Sequence, residues 1–568
     1  MAITVLKALR VILLCLSCYG YLYLIVDKGK IKVEFSPAIL FSAIGSAMFF
    51  AGILNILKET CVAILVAGII FAIYSFVKKY NPLRFICPGI VFFLICLVYF
   101  CYFYYGRKLQ SYDDFSHWGT VARLMLESNR LPNFQDNIIM FQSYPTGSAG
   151  FIYFIGKATG IRSEWIMPFS QTMLTMSCFV CLFAFVKHKI TGYIGIVCFC
   201  ITVICSQAFV LSGLLVDVLL PMIALSGMLI GIYYTKEINR VLWAVMPSVV
   251  FLIAIKNSGL FFSVVIIVYV LLCVQWKTVK KGSLTALVLS PFISLVLWQK
   301  HVKLVFSDGL SSKHTMAVDS LKESFLEKDP KIIAEIKEKF FSAVFSLQNI
   351  FLLFLLLAGV TLLLIFIFQK QQFGFSLRLI VLSSVSYLVY QGSMLVMYLT
   401  SMPADEALML ASYNRYHWTV MIFMMGILLA VILQTELRNR AVSALITIFA
   451  IAVNFFVFPP QLSQLQKKQL STPARETLET LIKDYRIPYG SSCILFSHDD
   501  AGYDYFLCRY LLRTTSIDLY MGDPTGKTPK DIYSYDYIII ADPTEETRAY
   551  VKDVLKIDDT RQVIRLKK

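Results

Sequence analysis

Long apolar runs recur along most of the chain and determine the structure that its pattern predicts. Most runs approach or exceed the roughly 20 residues that a helix needs to cross a bilayer. They lie at 9–26, 36–56, 61–77, 85–105, 165–186, 192–211, 215–234, 241–255, 259–275, 284–299, 343–369, 379–400, 417–434 and 441–458. Because polar and apolar positions do not alternate within them, the runs predict helices rather than the strands of a membrane barrel. The pattern therefore indicates a polytopic α-helical membrane protein with about 14 spanning helices.

Three longer polar segments interrupt this pattern, at 107–164, 301–340 and 460–568. The last alternates short β-rich runs with helical ones, which is typical of a small α/β domain. Its predicted strands lie at 493–496, 516–520, 537–540 and 562–566, and its predicted helices at 472–485, 503–512 and 545–555. We therefore predict N-terminal spanning helices in 1–106, a large external loop in 107–164, further spanning helices in 165–459 and an α/β domain in 460–568.

Positive charge is concentrated in alternate short loops. The chain carries a net charge of +16, although only 15% of its residues are charged, 58% are hydrophobic and its mean hydropathy is +0.69. Lys and Arg gather at 28–32, 78–84, 187–189, 236–240, 277–281, 370–378 and 438–440. Such loops face the cytoplasm, which predicts a plasma-membrane protein with both termini and all three polar segments outside. Without a folded basic domain or a basic-aromatic stripe, the charge does not indicate nucleic-acid binding.

The most informative polar stretch follows the fourth apolar run and spans positions 112–119, with the sequence YDDFSHWG. Adjacent carboxylates at a membrane boundary are costly unless they are solvated, paired or functional. Asp113, Asp114 and His117 are therefore candidate catalytic residues. Helix capping by either Asp is the structural alternative, and it is compatible with a catalytic role for the other. Tyr144 opens a second cluster in the same loop, which its following Pro and Gly also explain as a simple turn.

Other polar residues occur in apolar surroundings at the same predicted outer level. Asp217 interrupts an apolar run, Lys256 ends one, and Arg415 opens another, where it is followed by Tyr416 and His417. For Lys256 and Arg415 the alternative is snorkelling toward lipid headgroups. One shared depth for two cations and three carboxylates favours a single site with phosphate-binding cations on one side.

These motifs resemble those of the GT-C glycosyltransferases, above all bacterial cell-envelope members in which Asp-Asp/Glu-Phe-Ser-His-Trp is followed by Tyr-Pro-Pro-Gly. This chain has Asp114 where Glu is common and Thr146 where the second Pro is expected. Lys256 to Gly259 and Arg415-Tyr416 match a later Lys-x-x-Gly and an Arg-Tyr pair of that family. In the usual arrangement the acidic loop follows the first helix, so this chain has three additional N-terminal helices.

The resemblance implies sugar transfer, with inversion, from a polyprenyl-phosphate carrier on the extracytoplasmic face of the membrane. The acceptor is a glycan, a lipid or a protein. Asp113 is the expected base, with Asp114 orienting the acceptor or its partner and His117 assisting or binding phosphate. The expected substrate-binding residues are Tyr144, Asp217, Lys256, Arg415, Tyr416 and His417.

Several alternatives stay open at the level of sequence. A transporter or flippase, a polymerase or ligase of lipid-linked saccharides, and a non-catalytic scaffold each fit a polytopic chain, although no two similar halves indicate transport. The charged stretch 321–339 predicts either a solvated surface helix or a mobile lid. A divalent metal near Asp113 and Asp114 has no complete ligand set. Spacing alone does not decide whether Cys493 and Cys508 pair.

Overall fold

The computed structural model describes residues 2–187, 189–207, 213–274, 276–306, 328–346, 349–434, 448, 466, 469–497, 502–521, 532–557 and 561–566. The helices before the tail are α1 (Ala2–Tyr23), α2 (Ser36–Ile53), α3 (Leu57–Val77), α4 (Pro88–Tyr104), α5 (Gly119–Ser128), α6 (Gly147–Thr159), α7 (Ile166–Val180), α8 (Lys189–Ser206), α9 (Leu219–Tyr233), α10 (Ile238–Ile255), α11 (Gly259–Cys273), α12 (Lys281–Val305), α13 (Pro330–Val344), α14 (Ile350–Phe368), α15 (Lys370–Thr400), α16 (Ala404–Leu408) and α17 (Tyr413–Gln434).

The described part of the chain contains nine helices that are long and apolar enough to cross a membrane. Four further apolar helices, including α4, α9 and α11, are shorter. The protein is thus a polytopic helical membrane protein, while the number of about 14 spans stays a prediction. The predicted run 441–458 lies outside the described residues. The apolar run predicted to begin at 215 becomes helical only at Leu219. Residues 213–218, which include Asp217, are not helical.

The N-terminal helices α1 and α3 pack closely through glycines. A side-chain carbon placed on Gly20 would come within 1.9 Å of the carbonyl oxygen of Gly68, and one on Gly68 would come within 2.1 Å of Ser17 Oγ. Small residues at such crossings let two backbones approach, which is a main source of helix association in lipid. Helices α1 and α3 therefore form a tightly packed pair.

In the second polar segment, 301–340, the structure describes residues 301–306, where α12 ends, and residues from 328 onward, where α13 begins. Asp329 caps this helix by accepting a hydrogen bond from Lys331 N at 2.8 Å. Phe340 is buried against the rings of Tyr398 and Tyr413. Lys328 Nζ donates to three carbonyls where α15 ends, at 2.6 to 3.1 Å. Residues 307–327 lie outside the described residues, so the lid interpretation stays a prediction.

The tail forms the small α/β domain that the sequence predicts. Its elements are α18 (Pro473–Asp484), β1 (Cys493–Ser497), α19 (Tyr503–Leu512), β2 (Ile517–Met521), β3 (Tyr537–Ile540), α20 (Glu545–Asp553) and β4 (Val563–Arg565). The strand order is β2-β1-β3-β4, with β1 parallel to both neighbours and β4 antiparallel to β3. The central strands β1 and β3 are buried along their whole length, as their continuous apolar runs require.

Candidate active site

The acidic motif folds into a buried π-helical turn between α4 and α5. This turn spans Asp114–Trp118, and all five of its residues are buried. The backbone N–H of Met140 donates to Ser116 O at 3.2 Å, which fastens the following loop to the turn. Single π-helical turns re-aim side chains and occur often at functional sites. Here the turn separates the two adjacent carboxylates.

Asp113 lies at the accessible side of this turn, with 28% of its side chain exposed. Its Oδ2 atom is 3.6 Å from Arg415 Nη1, and its side chain makes no capping hydrogen bond. Burial raises the pKa of Asp113 above its ordinary value, although the Arg415 guanidinium opposes that shift. Asp113 therefore contacts a cation while part of its side chain stays exposed.

Asp217 joins the two predicted cations. Its carboxylate is 3% exposed, and lies 3.3 Å from Lys256 Nζ and 3.3 Å from Arg415 Nε. Thr419 Oγ1 donates to the backbone oxygen of Asp217 at 3.2 Å, which ties this non-helical segment to α17. Burial alone would lower the pKa of Lys256, but the attraction of Asp217 raises it above the ordinary value. We call Asp113, Asp217, Lys256 and Arg415 the ion cluster.

Snorkelling does not account for these cations. A snorkelling side chain extends its charged end into the headgroup region, whereas Lys256 and Arg415 turn theirs to a buried carboxylate. Buried charges in a protein are paired in this way because an isolated charge is expensive to desolvate. The pairing favours a built site over two independent lipid contacts.

Two tyrosines line the ion cluster. Lys256 Nζ lies 5.0 Å from the centre of the Tyr416 ring, and the Arg415 guanidinium lies 5.3 Å from it. Tyr144 is partly buried, and this burial raises its pKa, whereas the charges of Lys256 and Arg415 act to lower it. The Tyr144 ring also packs against His117 with centroids 5.4 Å apart. Tyr144 thus connects the acidic motif to the cations.

Asp114 turns away from the ion cluster and is fully buried. Its Oδ1 atom accepts a hydrogen bond from Leu214 N at 2.8 Å. Burial raises the pKa of Asp114 to about 8, although the backbone groups of Leu214 and Ser111 favour its charged form. Asp114 anchors the segment that leads to Asp217.

His117 is buried among aromatic rings rather than exposed to a ligand. Its ring meets Trp118 and Phe141 edge-on, in addition to Tyr144. Burial lowers its pKa to about 3, so the imidazole is neutral at physiological pH. A neutral ring does not supply the positive charge that favours phosphate binding. The predicted role of His117 in phosphate binding therefore gains no support from this environment.

His417 lies apart from the ion cluster. Its Nδ1 atom is 3.0 Å from Gln391 Nε2, and its ring packs against Tyr387 and Tyr413. Residues two apart on an α-helix point about 200° away from each other, so Arg415 and His417 face different sides of α17. The structure gathers every other predicted substrate-binding residue around the cluster, but not His417.

Residues that the sequence did not single out hold the tail against the acidic motif. Arg475 of α18 is 3% exposed, donates to Glu164 Oε1 at 2.8 Å and donates to Leu109 O at 2.6 Å. Tyr510 of α19 donates to the same Glu164 oxygen at 2.8 Å. Burial alone would raise the pKa of Glu164, but Arg475 lowers it below the ordinary value. Glu164 and Arg475 are 311 positions apart, and no local pattern in one sequence indicates such a pair.

The two adjacent carboxylates do not form a joint metal site. Asp113 faces Arg415, whereas Asp114 faces the backbone of Leu214. Within the described ranges, no three His, Cys, Asp or Glu side chains are grouped to hold a metal ion. The donor set therefore does not fit a divalent metal bound by both acids.

No protein-family model matches this chain, and a comparison with curated proteins gave no match either.

Proposed function

We propose that the protein is an inverting membrane glycosyltransferase that moves a sugar from a polyprenyl-phosphate carrier to an envelope acceptor outside the plasma membrane. One observation supports this most directly. An accessible carboxylate, Asp113, lies beside two cations that a buried carboxylate holds in place. A base and a phosphate-binding pair are the two components that such a transfer needs.

In the proposed reaction, Asp113 takes the proton of the acceptor hydroxyl as that oxygen attacks the sugar carbon. The bond from the sugar to the carrier phosphate breaks, and the phosphate leaves with increased negative charge. Arg415 and Lys256 stabilise this charge, because fixed cations act most strongly on charge that develops in the transition state. The forked guanidinium of Arg415 suits phosphate oxygens particularly well.

The long, poorly aligned contacts of Arg415 support a model in which the substrate phosphate competes with Asp113 for Arg415. The contact from Asp113 to Arg415 is 3.6 Å, longer than a charge-assisted hydrogen bond of about 2.8 Å. Arg415 Nε and Asp217 Oδ2 also lack an aligned hydrogen bond within the described part of the chain. A carrier phosphate that engages Arg415 would release the Asp113 carboxylate to act as the base.

The decisive experiment supplies purified protein with a radiolabelled polyprenyl-phosphate sugar and with envelope material that contains the acceptor. Asp113→Asn should lower transfer by at least about 100-fold, which is typical for loss of a positioned base. Asp405→Asn is the matched control, because Asp405 is an exposed acid on the short helix α16 and should retain full transfer. Full transfer by Asp113→Asn would remove Asp113 from the role of base. Translocation of the intact carrier with no transfer would instead favour a flippase.

A further inference from the structure

The tail contains two cysteines that lie side by side. Cys493 opens β1 and Cys508 lies within α19, and both are fully buried. Their sulfur atoms are 3.8 Å apart. All other cysteines of the chain lie between positions 15 and 273, in or beside the apolar helices. The tail therefore holds one isolated pair of thiols in contact.

The two sulfur atoms already lie close to the separation that a disulfide requires. Sulfur atoms in a disulfide are about 2 Å apart, so the two sulfurs, at 3.8 Å, must approach by less than about 2 Å to form the bond. The strand and the helix already hold the two residues together, and no backbone segment has to cross the domain. Spacing along the chain did not decide this pairing, whereas the folded domain brings the two sulfurs together.

We propose that Cys493 and Cys508 form a disulfide in the cell, an inference that rests on the extracytoplasmic location of the tail in the proposed function. Disulfides form and persist in such oxidising surroundings and are rare in the cytosol. Each thiol gives up its proton, and the pair transfers two electrons to the disulfide of an extracytoplasmic thiol–disulfide oxidant. The oxidant leaves as two thiols. Because both sulfurs are buried, this exchange occurs while the tail is folding.

The bond would fix the surface on which the acidic motif rests. It would connect β1 to α19, and α19 presents three aromatic rings to the motif. Phe506 packs against Tyr112 with centroids 4.7 Å apart, while Tyr503 and Tyr510 pack against Phe115 at 5.5 and 5.4 Å. The disulfide would thus hold α19 in place against Tyr112 and Phe115, the residues on either side of the Asp113–Asp114 pair.

The test traps thiols in cells that express the full chain. Acid-quenched protein is denatured and alkylated before or after reduction, and its tail peptides are identified by mass spectrometry. Before reduction, we expect the Cys493 and Cys508 peptides to be joined and unalkylated. Their mass should be two hydrogen atoms below the sum of the two reduced peptides. After reduction, both should be fully alkylated. In the Cys508→Ser variant, Cys493 should be alkylated without reduction.

A second measurement separates this inference from the proposed function. Tyr489 is 69% exposed, so Tyr489→Cys in a Cys493→Ser/Cys508→Ser background reports which side of the membrane the tail occupies. Intact cells are treated with a membrane-impermeant maleimide, and the same background without Tyr489→Cys is the control. Labelling of the Tyr489→Cys protein in intact cells, together with free Cys493 and Cys508 thiols in the wild type, would overturn the disulfide. The transferase proposal would be unaffected by that result. Absence of labelling until the cells are lysed would overturn both.

Discussion

Two adjacent acids have different environments because the π-helical turn directs them to opposite sides. Asp113 is partly exposed and meets Arg415, whereas Asp114 is fully buried against Leu214. A carboxyl that burial keeps protonated near neutral pH is a poor partner for a cation, but it suits a backbone anchor. At the residue scale, the structure therefore assigns the contact with cations to Asp113 and anchoring to Asp114.

Protonation of Asp114 predicts how stability depends on pH. Its pKa is about 8 in the folded protein, compared with an ordinary value of 3.8. Because the folded state holds this proton more tightly, the stabilisation is complete below the ordinary value and is lost as the pH rises to about 8. The free energy of unfolding should fall by up to about 1.4 kcal/mol per pH unit in this range.

Asp114→Asn should remove this dependence, since an amide does not titrate and its oxygen still accepts from Leu214 N. Thermal unfolding in detergent from about pH 5 to pH 8 measures the difference. We expect the variant to become more stable relative to the wild type as the pH rises. Parallel curves for the two proteins would show that Asp114 is ionised throughout.

Most residues of the site were predictable because polar groups are conspicuous in apolar surroundings. Asp217, Lys256 and Arg415 interrupt or border apolar runs, where a charge needs a partner or a purpose. His417 was grouped with them because it follows Arg415 closely in sequence, yet it faces another side of α17 and lies beside Gln391, so its substrate-binding role stays a prediction. Glu164 lies in a polar loop, where nothing in the sequence sets it apart from solvated acids.

At the scale of elements, docking of α18 and α19 supports the acidic motif from outside the membrane part. Arg475 connects α18 to the loop before α7 through Glu164, and Lys108 pairs with Glu479 of α18. Arg123 of α5 donates to Tyr510 O at 2.7 Å, so α19 is also fixed. Their position depends on ion pairs and rings whose partners are hundreds of residues apart, and the sequence alone did not reveal this.

Arg475→Met should weaken this docking. The change leaves Glu164 without its buried cation, and breaking such a pair typically costs about 3 kcal/mol. We expect faster cleavage of the tail in limited proteolysis and a lower unfolding temperature. Lys483→Met is the matched control, because Lys483 lies on the exposed side of the same helix. Equal protection of the tail in both variants would show that Arg475 does not maintain the docking.

At the scale of the whole molecule, the predicted loops gather at two ends. Lys32 N donates to Tyr234 Oη at 2.7 Å, and Lys32 Nζ donates to Ala184 O at 3.1 Å. Asn239 Nδ2 donates to Thr278 O at 3.1 Å. These bonds link four of the cationic loops, or residues next to them, at 28–32, 187–189, 236–240 and 277–281. The ion cluster instead joins residues of the other set of loops, and the tail docks beside it on the segment 107–164.

This separation was predictable because helices that cross a bilayer must alternate direction, so alternate loops meet at the same end. The contacts within each end were not predictable, since they depend on side-chain packing between helices. Which end faces the cytoplasm follows only from the positive-inside tendency, and it stays a prediction that experiment can decide.

A reporter that is active only outside the cytoplasm tests this orientation. Fused after Lys568, it should be active, because an even number of spans with the cationic loops inside leaves both termini outside. Inserted in the loop at Lys236, it should be inactive, and a reporter that fluoresces only in the cytoplasm should show the opposite pattern at both positions. Asp113 and Arg415 would then lie on the extracytoplasmic side of the membrane, where the proposed sugar transfer takes place. The reverse pattern would put the base in the cytosol and remove the extracytoplasmic transferase proposal, however well the cluster binds phosphate.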